Sequence, residues 1–128
     1  IVDDDPINNF ITKKVITKIS PNAFVIAFTE PEDGLDYILS IFAKPFNDKA
    51  ILLLDINMPA MTGWQFMEVL EKKGSIVNER LSTYILSSSV DPADKERARV
   101  NLQISDYIMK PLSHEAVLSI HSMKAGGL

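Results

Sequence analysis

Acidic residues follow two short apolar runs that lie far apart in the sequence. Asp3 and Asp4 come after residues 1–2, and Asp55 comes directly after the apolar run Ala50–Leu54. If these runs are neighbouring parallel strands, the carboxylates meet at one edge of the sheet, because parallel strands end at the same edge. Two carboxylates about 4 Å apart repel by roughly 4 kcal/mol at an effective dielectric constant of about 20, so such a cluster needs a cation. Oxygen ligands without nearby His or Cys favour Mg²⁺, with Mn²⁺ or Ca²⁺ as alternatives.

Two other apolar runs end in a hydroxyl group and in a cation. The run at 84–86 is followed by three serines that begin at Ser87, and Ile104–Met109 is followed by Lys110. Each feature is ordinary alone, since serines form turns and a single lysine is usually a surface charge. Beside carboxylates and a metal ion, however, an ammonium and a hydroxyl group suit the binding of a phosphoryl group.

The elements that must position these residues are short strands separated by amphipathic helices. The predicted strands are residues 1–2, 23–28, 50–54, 84–86 (with an alternative start at 81) and 104–109. None of these runs alternates strictly with polar residues, which is typical of strands covered on both faces of a parallel sheet.

The segments between the strands have helical periodicity. The second predicted helix carries the i, i+3, i+4, i+7 stripe Leu35, Ile38, Leu39 and Phe42. In the first helix, the stripe expected to face the core is Ile7, Phe10, Ile11, Val15 and Ile19. In the last helix it is Ala116, Val117, Ile120 and Met123. The predicted caps or first residues of the five helices are Asp5, Pro31, Gly63, Asp91 and Ser113.

Five strands that alternate with five helices predict a three-layer α/β sandwich with right-handed crossovers. We expect a parallel five-stranded sheet of order 2-1-3-4-5. The functional site of such a sheet lies at the carboxyl ends of the strands, beside the first and third strands.

Composition excludes several classes of function. The chain has 128 residues, a size that predicts one domain over residues 1–128. Its net charge of −4 argues against direct nucleic-acid binding, and the absence of Cys excludes disulfides, thiol nucleophiles and thiolate metal sites. The apolar runs are too short for membrane insertion, and no secretory signal is visible, so a cytoplasmic location is expected.

Four sequence motifs together carry a family resemblance. They are V-D-D-D-P at 2–6, L-L-L-D-I-N-M-P-A-M-T-G at 52–63, I-L-S-S at 85–88 and D-Y-I-M-K-P at 106–111. In order and spacing, the chain resembles the receiver domain of two-component response regulators. The resemblance implies a flavodoxin-like (βα)5 fold, a sensor histidine kinase or histidine phosphotransfer protein as phosphodonor, and a downstream protein target.

The resemblance also implies a role for each matching site residue. Asp55 would be the phosphoacceptor, and Asp3 and Asp4 would be the acidic pair that binds Mg²⁺, with Asp4 as a direct ligand. Asn57 would give its backbone carbonyl to the metal, and Lys110 would contact the phosphoryl oxygens. The peptide bond after Lys110 is expected to be cis because Pro111 follows.

Two residues would form a switch that reads the phosphoryl group. Ser87 takes the place of the commoner Thr, and its hydroxyl would move towards the phosphoryl oxygens. Tyr107 would then enter the vacated space and change the face formed by the fourth helix, fifth strand and fifth helix. Ser88 would take the switch position if the register differs by one residue.

Two segments depart from the family pattern. The stretch 74–82 is longer than a minimal connection and has no assigned function. The usual Gly-Ala before the fifth strand is absent, and Asn101 is expected to supply a left-handed turn instead.

Other functions compete with the receiver. The chain could be a receiver module of a longer hybrid kinase or regulator, since no output domain is visible in it. An aspartyl-phosphate hydrolase of the haloacid-dehalogenase type would need D-x-D-x-T, whereas Asp55 is followed by Ile56, Asn57, Met58 and Pro59. A pseudo-receiver would lack the acceptor or an acidic partner. We therefore expect a signalling domain and not a classical enzyme, with self-catalysed phosphotransfer and autodephosphorylation only.

Overall fold

The computed structural model describes residues 1–44, 49–73 and 79–126, with side chains up to residue 121. The helices are α1 (Pro6–Ile19), α2 (Pro31–Phe42), α3 (Gly63–Lys72), α4 (Pro92–Val100) and α5 (His114–Gly126). The regular strands are β1 (Ala50–Leu54), β2 (Leu81–Ser87) and β3 (Ile104–Met109). Residues 74–78 of the long predicted connection and the side chain of Met123 lie outside the described part, whereas Leu81 and Ser82 already belong to β2.

The sheet is parallel and has the predicted order. β1 pairs with β2, and β2 pairs with β3. On the other side of β1, the Val2 amide donates to the Leu53 carbonyl at 2.9 Å, and the Asp55 amide donates to the Val2 carbonyl at 2.9 Å. Phe28 lies beyond Val2, so the neighbours are Phe28, Val2, β1, β2 and β3. This is the order 2-1-3-4-5.

The first two predicted strands are shorter than expected, since each is reduced to a single bridging residue. The Phe28 amide donates to the Ile1 carbonyl at 2.8 Å, and the Asp3 amide donates to the Phe28 carbonyl at 3.0 Å. Residues 23–25 belong to no strand and form no bridge in the described part of the chain. The Ala23 amide instead donates to the Ser20 carbonyl at 3.0 Å, in the turn that follows α1.

Two apolar cores cover the two faces of this sheet, because side chains alternate along each strand. Leu52, Leu54 and Ile85 face a core completed by α2, α3 and Ala98 of α4. Leu53 and Tyr84 face the opposite core, which α1 and α5 complete. The three-layer sandwich is therefore confirmed.

The predicted inward stripe of α1 is wrong in its first two turns. Ile7, Phe10 and Ile11 are 69%, 61% and 44% exposed, whereas Asn9 and Thr12 are buried. Asn9 turns inward because its side-chain amide donates to the Asp3 carbonyl at 2.9 Å. The need of the Asp3 carbonyl for a hydrogen-bond donor thus helps to decide which face of α1 is buried at the N-terminal end of the helix.

Helix capping follows the sequence closely. Asp5 and Asp91 each accept a hydrogen bond from the second residue of their helix, and Ser113 accepts one from Ala116. Thr62 and Gln65 form a reciprocal capping box at the start of α3. None of the helices described here is both long enough and apolar enough to cross a membrane.

The expected left-handed turn at Asn101 is wrong. Asn101 has φ −87° and ψ 112°. In the described part of the chain, no residue other than glycine has a positive φ. Its side-chain oxygen instead accepts a hydrogen bond from the Gln103 amide at 2.9 Å. An Asx-type turn therefore closes the connection from α4 to β3.

Gly63 is required where α3 begins, because the helix approaches the end of β1 closely. A Cβ atom at this position would collide with the Asp55 carbonyl oxygen and lie 2.9 Å from Ile56 Cα. The Gly63 amide donates to the Ile56 carbonyl at 2.8 Å. Both clashing atoms are backbone atoms and cannot rotate away.

We expect Gly63→Ala to lower the free energy of unfolding by about 1–3 kcal/mol, the range typical of overpacking. The measurement is urea unfolding followed by circular dichroism. Gly34→Ala in α2 is the matched control, because its Cβ would meet side-chain atoms of Val2 (2.7 Å) and Phe28 (3.4 Å) and no backbone atom, and helix propensity offsets part of the strain. An equal or smaller loss in Gly63→Ala would contradict the close approach described here.

Candidate functional site

Three carboxylates converge at the carboxyl edge of the sheet, as the sequence predicts. Asp3 follows the Val2 bridge and Asp55 follows β1. One carboxylate oxygen from each of Asp3, Asp4 and Asp55 lies within 4.8 Å of the others. Asp3 and Asp55 are buried, whereas Asp4 is exposed at the rim. The cluster is therefore open to solvent on the side of Asp4.

Lys110 reaches into this cluster from the end of β3. Its Nζ lies 2.8 Å from Asp3 Oδ2 and 3.5 Å from Asp55 Oδ1. The Lys110 amide donates to the Ser87 carbonyl at 2.9 Å, which continues the pairing of β2 and β3. The peptide bond to Pro111 is cis, as predicted. One ammonium thus faces three carboxylates, and the site retains a net negative charge.

Burial and the neighbouring charges shift the pKa values of Asp55 and Lys110. Burial, and then the charge of Asp3, raise the pKa of Asp55 above its ordinary value of 3.8, although Lys110 and the Ile56 amide oppose the shift. Burial lowers the pKa of Lys110, but the hydrogen bond to Asp3 and the charges of both carboxylates outweigh it, so the pKa is raised. Lys110 therefore stays protonated at neutral pH.

Asp3 is already surrounded by donors from the protein. Its Oδ2 accepts hydrogen bonds from Asn8 Nδ2 at 2.6 Å and from Lys110, and its Oδ1 accepts one from the Asp5 amide at 2.9 Å. These contacts hold the buried carboxylate in one orientation. Asp4 and Asp55 carry fewer such contacts, so they are the better placed ligands for a cation.

Asn8 is a residue of the site that sequence reasoning missed. It lies in the first turn of α1, and its amide shares Asp3 Oδ2 with Lys110. Its position in the sequence could have indicated this role. Because α1 begins directly after Asp3 and Asp4, the first turn of the helix lies next to the carboxylates. The prediction that Ile7 and Phe10 face the core did not consider a polar contact from this turn of the helix.

Ser87 and Tyr107 meet through the backbone of Ser89. Ser87 is fully buried at the end of β2, and its Oγ accepts a hydrogen bond from the Ser89 amide at 3.0 Å. The Tyr107 hydroxyl donates to the Ser89 carbonyl at 2.8 Å. Ser88, the alternative to Ser87, is exposed. Asn57, two residues beyond Asp55, is also exposed.

The chemistry of this donor set is that of a site for a hard divalent cation next to an anion. Carboxylate oxygens dominate it, and the described residues around it include neither His nor Cys. Lys110 adds a fixed positive charge on one side. An anion bound between a cation and Lys110 would lie directly against Asp55.

Solved structures share this fold along nearly the whole chain. A two-component response regulator from Cytophaga hutchinsonii superposes with a TM-score of 0.88 at 24% identity, covering 98% of this chain and 93% of that one. A response regulator receiver protein from Dyadobacter fermentans superposes with a TM-score of 0.85 at 25% identity, covering 97% and 94%.

Curated relatives are longer proteins. The transcriptional regulatory protein FlgR of Helicobacter pylori is 30% identical over 126 residues, which are 97% of this chain and 29% of that protein. The transcriptional regulatory protein HprR of Escherichia coli is 27% identical over 114 residues, which are 88% of this chain and 46% of that protein. The chain thus spans less than half the length of either relative.

The sequence profile of the response regulator receiver domain matches residues 1–121. The match covers every motif that carries the resemblance, from the acidic pair to Lys110. With the parallel sheet and the acidic edge in place, the chain belongs to the receiver domain family of two-component response regulators.

Proposed function

We propose that the chain is a phosphoacceptor in which Asp55 receives a phosphoryl group from a phosphohistidine. The observation that carries this proposal is the placement of Asp55, whose carboxylate lies between Asp3, Asp4 and Lys110 at an open sheet edge. The donor would be a sensor histidine kinase or a histidine phosphotransfer protein, and a downstream protein would read the result. We place the exchange in the cytoplasm, which suits a chain without cysteine.

The residues present fit a magnesium ion. Asp4 and Asp55 would hold it directly, the backbone carbonyl of Asn57 would add a third ligand, and Asp3 would orient the cluster from behind. The tight grouping of the three carboxylates supports this assignment, since their mutual repulsion favours a cation. When bound, Mg²⁺ supplies positive charge that neutralises the oxygens of a transferring phosphoryl group.

The proposed step is an in-line displacement at phosphorus. The ionised carboxylate of Asp55 attacks, a P–O bond forms, and the P–N bond to the donor histidine breaks. The electron pair of the broken bond stays on the imidazole nitrogen, and the product is an acyl phosphate. Lys110 supports this role, because its ammonium lies 3.5 Å from the attacking group and can neutralise phosphoryl oxygens.

The proposed response begins with Ser87. New phosphoryl oxygens beside Asp55 would attract its buried hydroxyl, and the hydrogen bond from the Ser89 amide would have to rearrange. The Tyr107 hydroxyl also contacts Ser89, because it donates a hydrogen bond to the Ser89 carbonyl. A local change of charge would thus bias the face formed by α4, β3 and α5 between two arrangements.

The first prediction concerns labelling. Acetyl phosphate with Mg²⁺ is expected to add the mass of one phosphoryl group, and Asp55→Asn is expected to remove the labelling because an amide is not a nucleophile. Intact-mass spectrometry measures both. Asp36→Asn, at an acidic position of α2 away from the site, is the control that should label normally. Undiminished labelling of Asp55→Asn would refute the acceptor assignment.

The second prediction concerns the metal. Mg²⁺ at about 100 times its dissociation constant should raise the free energy of unfolding by about 2.7 kcal/mol, and Asp4→Asn should lose most of this gain. Asp5→Asn is the matched control: it neutralises the adjacent exposed acid while keeping a good helix cap. Urea titrations with and without Mg²⁺ provide the comparison. Equal gains in wild type and Asp4→Asn would exclude Asp4 as a ligand.

The third prediction concerns pH in the absence of metal. Because the folded-state pKa of Asp55 is raised above 3.8, the ionised carboxylate destabilises the folded state at pH values above that raised pKa. Asp55→Asn should therefore be more stable than wild type at neutral pH in EDTA. The pH-dependent part of this difference should vanish as the pH falls through the raised pKa to values below 3.8, where the carboxyl of the unfolded chain is also protonated.

Chemical unfolding at a series of pH values measures this difference. Asp36→Asn again serves as the control, since its substitution should give no such pH-dependent gain. A less stable Asp55→Asn at neutral pH would show that attraction to Lys110 outweighs burial and the repulsion from Asp3, and would contradict the raised pKa of Asp55.

A further inference from the structure

Ser89 is the point at which three parts of the molecule meet. Its amide donates to Ser87 Oγ at 3.0 Å, and its carbonyl accepts from the Tyr107 hydroxyl at 2.8 Å. Its side chain turns the other way: Ser89 Oγ donates to Asp94 Oδ2 at 2.6 Å and accepts from the Asp91 amide at 3.2 Å. The backbone thus contacts both residues of the proposed switch, while the side chain contacts the start of α4.

The helix that Ser89 contacts is held largely by polar groups. Ala98 is the single buried residue of α4. Along its length, the Arg97 guanidinium lies 4.8 Å from the centroid of the Trp64 ring. At its C-terminal end, Asn101 Nδ2 donates to Glu71 Oε1 at 3.1 Å. A helix with so little apolar burial can shift without opening the core. Its position therefore depends strongly on individual polar contacts.

The contact between Ser89 and Asp94 is also a charge-assisted one. The acceptor is a carboxylate in the first turn of α4, and such hydrogen bonds are about twice as strong as neutral ones. It is the shortest hydrogen bond of Ser89. A movement of the Ser89 backbone would therefore move Ser89 Oγ and change its hydrogen bond to Asp94.

We propose that Ser89 is a positioning residue that transmits a change at Ser87 and Tyr107 to the first turn of α4 through its side-chain hydroxyl. The inference rests on the proposed function and deepens it: it names the atom that connects the switch to the helix. Ser89→Ala keeps the amide and carbonyl contacts and removes only the connection to α4.

The experiment uses beryllium fluoride with Mg²⁺ as a stable mimic of the phosphoryl group and measures amide hydrogen exchange in the first turn of α4. In wild type, the mimic should change this exchange. In Ser89→Ala, exchange should be at least about tenfold faster without the mimic, the lower bound for losing a hydrogen bond to a charged group, and should not respond further when the mimic binds. Ser88→Ala, which changes the exposed neighbouring serine, should behave as wild type.

A second variant keeps the test decisive if Ser89→Ala is poorly folded. Asp94→Ala cuts the same hydrogen bond from the helix side and should also abolish the response of α4. The double variant should add nothing to Ser89→Ala, since that substitution already removes the hydrogen bond to Asp94 together with the one from the Asp91 amide. A purely structural role would instead shift baseline exchange and leave the response to the mimic intact.

Labelling of Asp55 by acetyl phosphate separates the possible failures. Normal labelling of Ser89→Ala with a wild-type response of α4 would overturn the role of Ser89 and leave the phosphoacceptor proposal standing. Labelled wild type without any response of α4 would overturn it as well. Loss of labelling in wild type would refute the proposed function, and the role of Ser89 with it.

Discussion

The repulsion among Asp3, Asp4 and Asp55 is the constraint on which the rest of the structure depends. Three carboxylates within 4.8 Å of one another would separate in a flexible loop. Here they are held by the ends of hydrogen-bonded strands, and Lys110 compensates part of their charge from a third strand. The remaining negative charge makes the edge of the sheet a ready site for a cation, without any further change of shape.

The two cores make this arrangement possible. Each strand buries alternate side chains in opposite layers, so neither face of the sheet can tilt to relieve the repulsion at its edge. Gly63 adds a second restraint, because α3 begins in direct contact with the backbone of Asp55. Stability gained by apolar burial therefore maintains an electrostatically unfavourable site, which is common where function requires poised charges.

The rigid sheet contrasts with α4, which contributes one buried side chain and several polar contacts. Ser87 is the last residue of β2, and Asp55 and Lys110 directly follow β1 and β3, whereas Ser89, Asp94 and Arg97 lie in the segment that follows β2. A receiver needs both properties: a fixed site that binds a phosphoryl group, and an adjacent element whose position a few hydrogen bonds decide. Ser89 connects these two parts, because its backbone contacts Ser87 and Tyr107 and its side chain contacts Asp94.

The sequence by itself determined the strand order, the helix caps and the meeting of Asp3, Asp4, Asp55 and Lys110, because these follow from apolar periodicity, from cap chemistry within a few residues, and from the common edge of parallel strands. Only the tertiary structure decided that Asn9 and Thr12 are buried in place of Ile7 and Phe10, that Asn8 shares an oxygen of Asp3, and that Ser89 joins Tyr107 to Asp94. The contacts of Asn8, Asn9 and Ser89 depend on which backbone and carboxylate groups need partners once the layers are packed, and no local pattern records that need. Thr12 lies one turn after Asn9 on the same face of α1 and is buried with it.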